Sequence, residues 1–215
     1  MPLSVWGISE FGFRISDFRV ASLVQVIRNS PKESRMAIEP EVGLSKETVY
    51  DGKLFKVVKE KVRLPDGRER PREIVVHPGA VALVVVDDED RLIMVRQYRR
   101  AAGSVLLEIP AGTREPGEDA ETCARREVVE ETGYSAGRVE RLGGFYSAPG
   151  FCTEFLECFL LTGLSEGQSG GDEDENIEIE RLTFEEALNA IRRGEIRDAK
   201  SIAGILMWHN LNPEV

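Results

Sequence analysis

Cysteine is scarce in this chain. Cys123, Cys152 and Cys158 are odd in number and form no CxxC pair. That excludes a disulfide framework and a cysteine-built zinc site, and it fits a reducing compartment; the expected location is the cytoplasm. Histidine is scarcer still, with only His77 and His209, so a histidine-rich metal centre is excluded. Long runs of Lys and Arg are missing, and the net charge is -10. Such a chain is a poor partner for nucleic-acid backbones or anionic membranes, and it would bind phosphates only through metals or a few placed arginines. Long apolar runs are missing too. Segments such as VALVVV, from Val81, are far too short to cross a bilayer and read as buried strands.

What is present is 215 residues, enough for one domain with a small appendage. The first 35 residues differ from the rest, with five Arg/Lys against three acids, and lack a secretory signal pattern. Residues 1–40 read as an extension, mobile or covering a dimer surface. The other readings are a targeting peptide, or upstream read-through with Met36 as the true start.

Residues 47–64, ETVYDGKLFKVVKEKVRL, alternate apolar and polar in their second half. A PDG turn and the strand-like REIVVHPG follow, which predicts a small antiparallel β element over 41–76 ahead of a main domain over 77–215. AVALVVVDDEDRLIMVRQYR reads as a hairpin, and LLEIPAG (106–112) as a short strand entering a loop. A helix is predicted over roughly Asp119–Glu131, with Gly133 as its C-cap. Two strands (138–146 and 154–164), a Gly-rich acidic loop (165–175) and a strand (NIEIERL) follow. TFEEALNAIRRG is a capped helix, and DAKSIAGILMWHNL a last apolar one. The order predicts an α/β sandwich around a mixed sheet.

The predicted helix carries an unusual concentration of acid. At about 100° per residue, Glu127, Glu130 and Glu131 fall on the same side as Cys123, Ala124 and Val128. A solvated acidic face belongs opposite the core, and like charges one turn apart repel. A hard divalent cation such as Mg²⁺, which prefers oxygen ligands, relieves that repulsion. Arg126 can reach Glu130 one turn on.

The spacing belongs to a longer pattern: Gly112, five residues, Glu118, seven residues, Arg126-Glu127, Val128, one residue, Glu130-Glu131, one residue, Gly133 and Tyr134. This stretch resembles the Nudix box of the Nudix hydrolases, with every specified position filled. The resemblance runs from roughly Lys46 to Asn210 and omits the first 35 or so residues. It implies a Nudix-type α/β/α sandwich and hydrolysis of a nucleoside diphosphate linked to another group. By resemblance Glu127, Glu130 and Glu131 are the metal face, the Ala111 carbonyl is a further ligand, and Glu118 and Arg126 brace the loop and helix. Outside the box, SAPG with Pro149, VRQYR, LLEIPAG and REIVVHPGAVALV resemble the ADP-ribose pyrophosphatase subgroup. Taken alone, Pro149-Gly150 is simply a turn. The subgroup implies a homodimer that exchanges N-terminal strands, so that both subunits build the substrate site.

The expected reaction is therefore Mg²⁺-dependent cleavage of ADP-ribose to AMP and ribose 5-phosphate, with two or three ions per site; Mn²⁺ or another divalent ion is also admitted. Glu131 is expected to be essential. The resemblance also implies a base on the late loop, with Glu175 first and Glu173 second, and Gly170 and Gly171 letting it close; a merely solubilising loop is the alternative. Arg72 and Arg99 are candidate phosphate forks, with Arg70 close behind. Glu154 is a candidate for a ribose hydroxyl or a metal, and Phe55 or Tyr50 for the adenine. Two other functions remain open: a pyrophosphatase for GDP-mannose or NADH, and a nucleotide-binding sensor that does not cut. A sensor would be expected to have lost box glutamates.

Overall fold

A computed structural model describes residues 38–167 and 177–211. From Glu41 onward these residues build two sheets and three helices within one unit of the chain. The first sheet is antiparallel: β1 (Val42–Asp51), β2 (Lys56–Arg63) and β3 (Glu69–Val76), in that spatial order. The 47–64 stretch is divided between β1 and β2. β1 starts earlier than its sequence pattern suggests and ends at a turn over 52–55, which closes with the Gly52 amide donating to the Phe55 carbonyl at 3.1 Å. All ten β1 residues are exposed, which explains why alternation did not reveal it.

The second sheet holds β4 (Ala80–Val86), β5 (Leu92–Arg99), β6 (Ser104–Glu108), β7 (Ala111–Thr113), β8 (Tyr134–Tyr146), β9 (Phe155–Glu166) and β10 (Ile177–Leu182). The main path is β10-β5-β4-β9-β8, with β6 on β5 and β7 on β4. Only β4 and β9 pair in parallel, so the sheet is mixed. LLEIPAG, expected as a short strand entering a loop, divides between the end of β6 and the start of β7. Pro110, which has no N–H to donate, lies between them, and its carbonyl accepts from the Leu83 amide at 2.8 Å.

Helices cover both faces: α1 (Ala120–Thr132) on one, α2 (Phe184–Arg193) and α3 (Ala199–Leu211) on the other. β4 shows how the sequence builds three layers. Successive strand side chains point to opposite faces. Val81, Leu83 and Val85 pack with Cys123, Ala124 and Val128 of α1. Ala82, Val84 and Val86 share a core with Ala187 and Ala190 of α2 and with Ile205 and Trp208 of α3. A strand buried on both faces must be apolar throughout, and this one is. The fold is the expected α/β/α sandwich around a mixed sheet.

The helix ends follow their local chemistry. Asp119 caps α1 by accepting from the Glu121 and Thr122 amides, and Gly133 closes it at φ 72°, a left-handed conformation that suits glycine. Thr183 and Glu186 form a reciprocal capping box on α2. No helix among the described residues is long and apolar enough to cross a membrane.

Candidate active site

The site grows from the junction of β7 and α1. Glu127, Glu130 and Glu131 line one polar cavity of about 290 Å³ together with Ala111, Gly112, Arg126 and Arg99. Glu127 and Glu131 are only 9% and 8% exposed, while Glu130 is half-buried. The helical projection therefore holds: these carboxylates flank the apolar stripe and do not oppose it.

Gly112 is fixed by a close approach. A Cβ there would lie 1.7 Å from the Glu127 carboxylate carbon, so any side chain would displace that group. Arg126 organises the acids, donating through Nη1 to Glu127 at 2.7 Å and to Glu130 at 2.8 Å. Its Nε and Nη2 grip Glu118 at 3.0 and 2.9 Å. These bonds hold the Glu118 carboxyl down at about 2 and raise Arg126 above its ordinary value. Glu118 also accepts from the Glu115 amide at 2.9 Å, so it ties the loop to the helix. Glu131 accepts from the Ala111 amide at 3.0 Å.

The donor set suits a hard cation: three carboxylates, two of them buried, line one cavity. As they stand, no three His, Cys, Asp or Glu side chains among the described residues are grouped to hold an ion. Arg126 and the Ala111 amide hold the acids, and these contacts would have to yield as an ion entered. With that rearrangement, Glu127, Glu130, Glu131 and Ala111 fit a divalent metal.

Arg99 lines this cavity and a second one of about 440 Å³. The second contains Glu154, Ser147, Phe145, Asp198 and Lys200. The 2% exposed Glu108 carboxylate accepts from Arg99 Nε and Nη2 at 3.0 and 2.6 Å, and from Lys200 Nζ at 2.9 Å. Burial alone would raise the Glu108 carboxyl, but the two cations outweigh it and hold it low. Glu154 lies 3.6 Å from His77 Nδ1. Pro149 lies in the turn between β8 and β9, where the Cys152 amide donates to the Ala148 carbonyl at 2.9 Å. That turn joins β3: the Val75 amide donates to Phe151 at 2.7 Å, and Thr153 donates back to Val75 at 2.9 Å.

Phe55 is not a strand residue but lies in the β1–β2 turn. It lines a third cavity of about 730 Å³ with Leu54, His77, Pro78 and Pro116, which meets the other two at Thr113. Tyr50 sits 5.7 Å from it, ring to ring. Arg72 is bound to Glu41 on the N-terminal sheet and lines none of these three cavities. Arg70 lines a separate groove on that sheet. Glu173, Glu175, Gly170 and Gly171 lie outside the described residues. Sequence reasoning missed Glu108, Asp198 and Lys200. The signal was a charged pair opening an otherwise apolar helix, DAKSIAGILMW.

Comparison with known proteins agrees with this geometry. Residues 76–204 match the NUDIX domain, and residues 44–75 the nucleoside diphosphate sugar hydrolase N-terminal domain. The chain is 43% identical over 164 residues to the ADP-ribose pyrophosphatase of Bacillus subtilis (strain 168), covering 75% of this chain and 89% of that protein. It is 40% identical over 161 residues to the methanol dehydrogenase activator of Bacillus methanolicus, covering 74% and 87%. A crystal structure of an ADP compounds hydrolase superposes with a TM-score of 0.75 at 24% identity, over 83% of this chain and 99% of that one; it attests the fold.

Proposed function

Because the chain belongs to the Nudix family, we propose that it is a Mg²⁺-dependent hydrolase that cleaves ADP-ribose to AMP and ribose 5-phosphate. The observation that carries this reading is the cavity on which Glu127, Glu130 and Glu131 converge with Gly112. The name of the Bacillus subtilis relative supports the substrate. Water adds to one phosphorus, the bridging P–O bond breaks, and each product leaves with one phosphate.

Bound divalent ions, two or three in this reading, would neutralise the diphosphate and acidify a bound water. Glu127, Glu131 and the Ala111 carbonyl would hold them, with Glu130 in support. Arg126 would have to give up Glu127 and Glu130 for these acids to hold an ion, while its bonds to Glu118 would still brace the loop. Arg99, whose Nε and Nη2 are occupied by Glu108, offers Nη1 to a phosphate oxygen. Glu154 accepts from a ribose hydroxyl. Phe55 and its apolar neighbours receive the adenine. Glu175, with Glu173 as second choice, takes the proton from water.

In the same reading residues 77–215 are the hydrolase domain, 41–76 a dimerisation element and 1–40 an extension. The fully exposed β1, with Val42, Leu44, Val49 and Tyr50, supports a homodimer. Arg72 would then serve the partner's site. Three free cysteines suit the cytoplasm. The test is product chromatography with ADP-ribose, GDP-mannose, UDP-glucose and NADH under Mg²⁺. AMP and ribose 5-phosphate from ADP-ribose, well ahead of the rest, are expected. Preference for another substrate would overturn the specificity.

A further inference from the structure

The hydrolase chemistry leaves one feature of the cleft without a role. Glu108 is among the most buried charged side chains described, and it is bonded to two cations at once. Asp198, paired with Lys200, supplies a second carboxylate, so the four charges balance. Asp198 Oδ1 adds a contact to Lys200 at 3.2 Å, but its other oxygen is buried without a hydrogen-bond partner. Burying such a cluster is costly, and its mutual hydrogen bonds offset that cost. The cluster is also rigid. Asp198 accepts from the Ser201 amide at the start of α3, and Ser201 Oγ accepts from the Ile109 amide at 2.8 Å, next to Glu108. The first turn of α3 is thereby stitched to the segment that leads into Ala111.

Arg99 and Lys200 both line the 440 Å³ cavity, and of the two only Arg99 also lines the carboxylate cavity. The aromatic and proline-rich cavity around Phe55 opens on the other side of Thr113. A base prefers that apolar surface; a phosphorylated sugar suits the polar 440 Å³ cavity, where Arg99 and Lys200 offer donors to phosphate oxygens and Glu154 can accept from a hydroxyl. We propose that Lys200 and Arg99, held in place by Glu108, form the seat for the phosphate of the non-nucleotide half of the substrate, with the attached sugar in the 440 Å³ cavity. Lys200 touches the phosphate; Glu108 is a positioning residue. The inference rests on the hydrolase reading for the identity of that half.

The test measures product binding by calorimetry, which needs no turnover. Lys200→Met in the full chain should weaken ribose 5-phosphate binding by about 10- to 100-fold, the usual scale for a charge-assisted hydrogen bond. AMP binding should stay within about 3-fold, and Lys200→Arg should restore most of the loss. In turnover, the loss should fall on KM more than on kcat. Should the methionine form fail to melt cooperatively, Lys200→Gln takes its place. Unchanged ribose 5-phosphate binding, or an equal loss for AMP, would overturn the proposal. If the wild type cut no nucleotide sugar yet bound ribose 5-phosphate through Lys200, the hydrolase reading would fall and the phosphate seat would stand.

Discussion

Glu131 is buried at the edge of a hydrophobic core and anchored to the amide of Ala111. Removing its charge leaves its shape intact. Glu131→Gln should therefore lose turnover by about 100-fold or more, in line with several kcal/mol of metal-derived stabilisation, while its melting temperature stays near wild type. A fully active, metal-dependent variant would remove Glu131 from the metal set. Gly112 makes the complementary case. Its missing Cβ is the space that the Glu127 carboxylate occupies. Gly112→Ala should cost about 1–3 kcal/mol of stability, the range for overpacking, and weaken Mg²⁺ binding. Chemical denaturation and a metal titration would check the two effects separately.

At the scale of the element, the loop and helix of the box act as one piece because Glu118 and Arg126 join them. The folded Glu118 carboxyl, at about 2, lies below its ordinary 4.5. Its stabilising contribution is therefore present above about pH 4.5 and is lost as pH falls toward 2. Denaturation of wild type and Glu118→Gln should show a gap at pH 6 that closes toward pH 2.5. A constant gap would mean that the carboxylate's charge is not what braces the loop. Asp119→Ala should remove about 1 kcal/mol, the usual worth of an N-cap, without changing the metal affinity.

Much of this element could be read from the sequence, since a helix writes its buried face at a fixed period and Asp119 and Gly133 mark its ends by local chemistry. The apolar run of β4 was legible for the same reason. Long-range contacts are not written locally. Nothing near Glu108 announces Lys200, which reaches it from a helix 92 positions later. Arg72 looked like a phosphate fork but found Glu41 as its partner. β1 carries no alternation because no face of it is buried within the chain.

For the whole molecule, that exposed strand is the surface that bears on assembly. A sheet edge and apolar side chains left bare invite pairing with another copy. Sedimentation should show a homodimer, and Val49→Lys should shift it toward monomer. A monomer at every concentration would remove the shared-site picture and leave Arg72 without a role in catalysis. Thr113 lines all three cavities, and the proposed substrate path would place base, diphosphate and sugar phosphate each in a different chemical environment.

The α1 carboxylates are proposed to direct a divalent ion that cuts a nucleotide sugar. Turnover of ADP-ribose with Mg²⁺ and with chelator, products separated by chromatography, tests it most directly. AMP and ribose 5-phosphate formed only with the metal are the predicted result. Tight nucleotide binding without cleavage under any divalent ion would contradict the claim and make the chain a sensor.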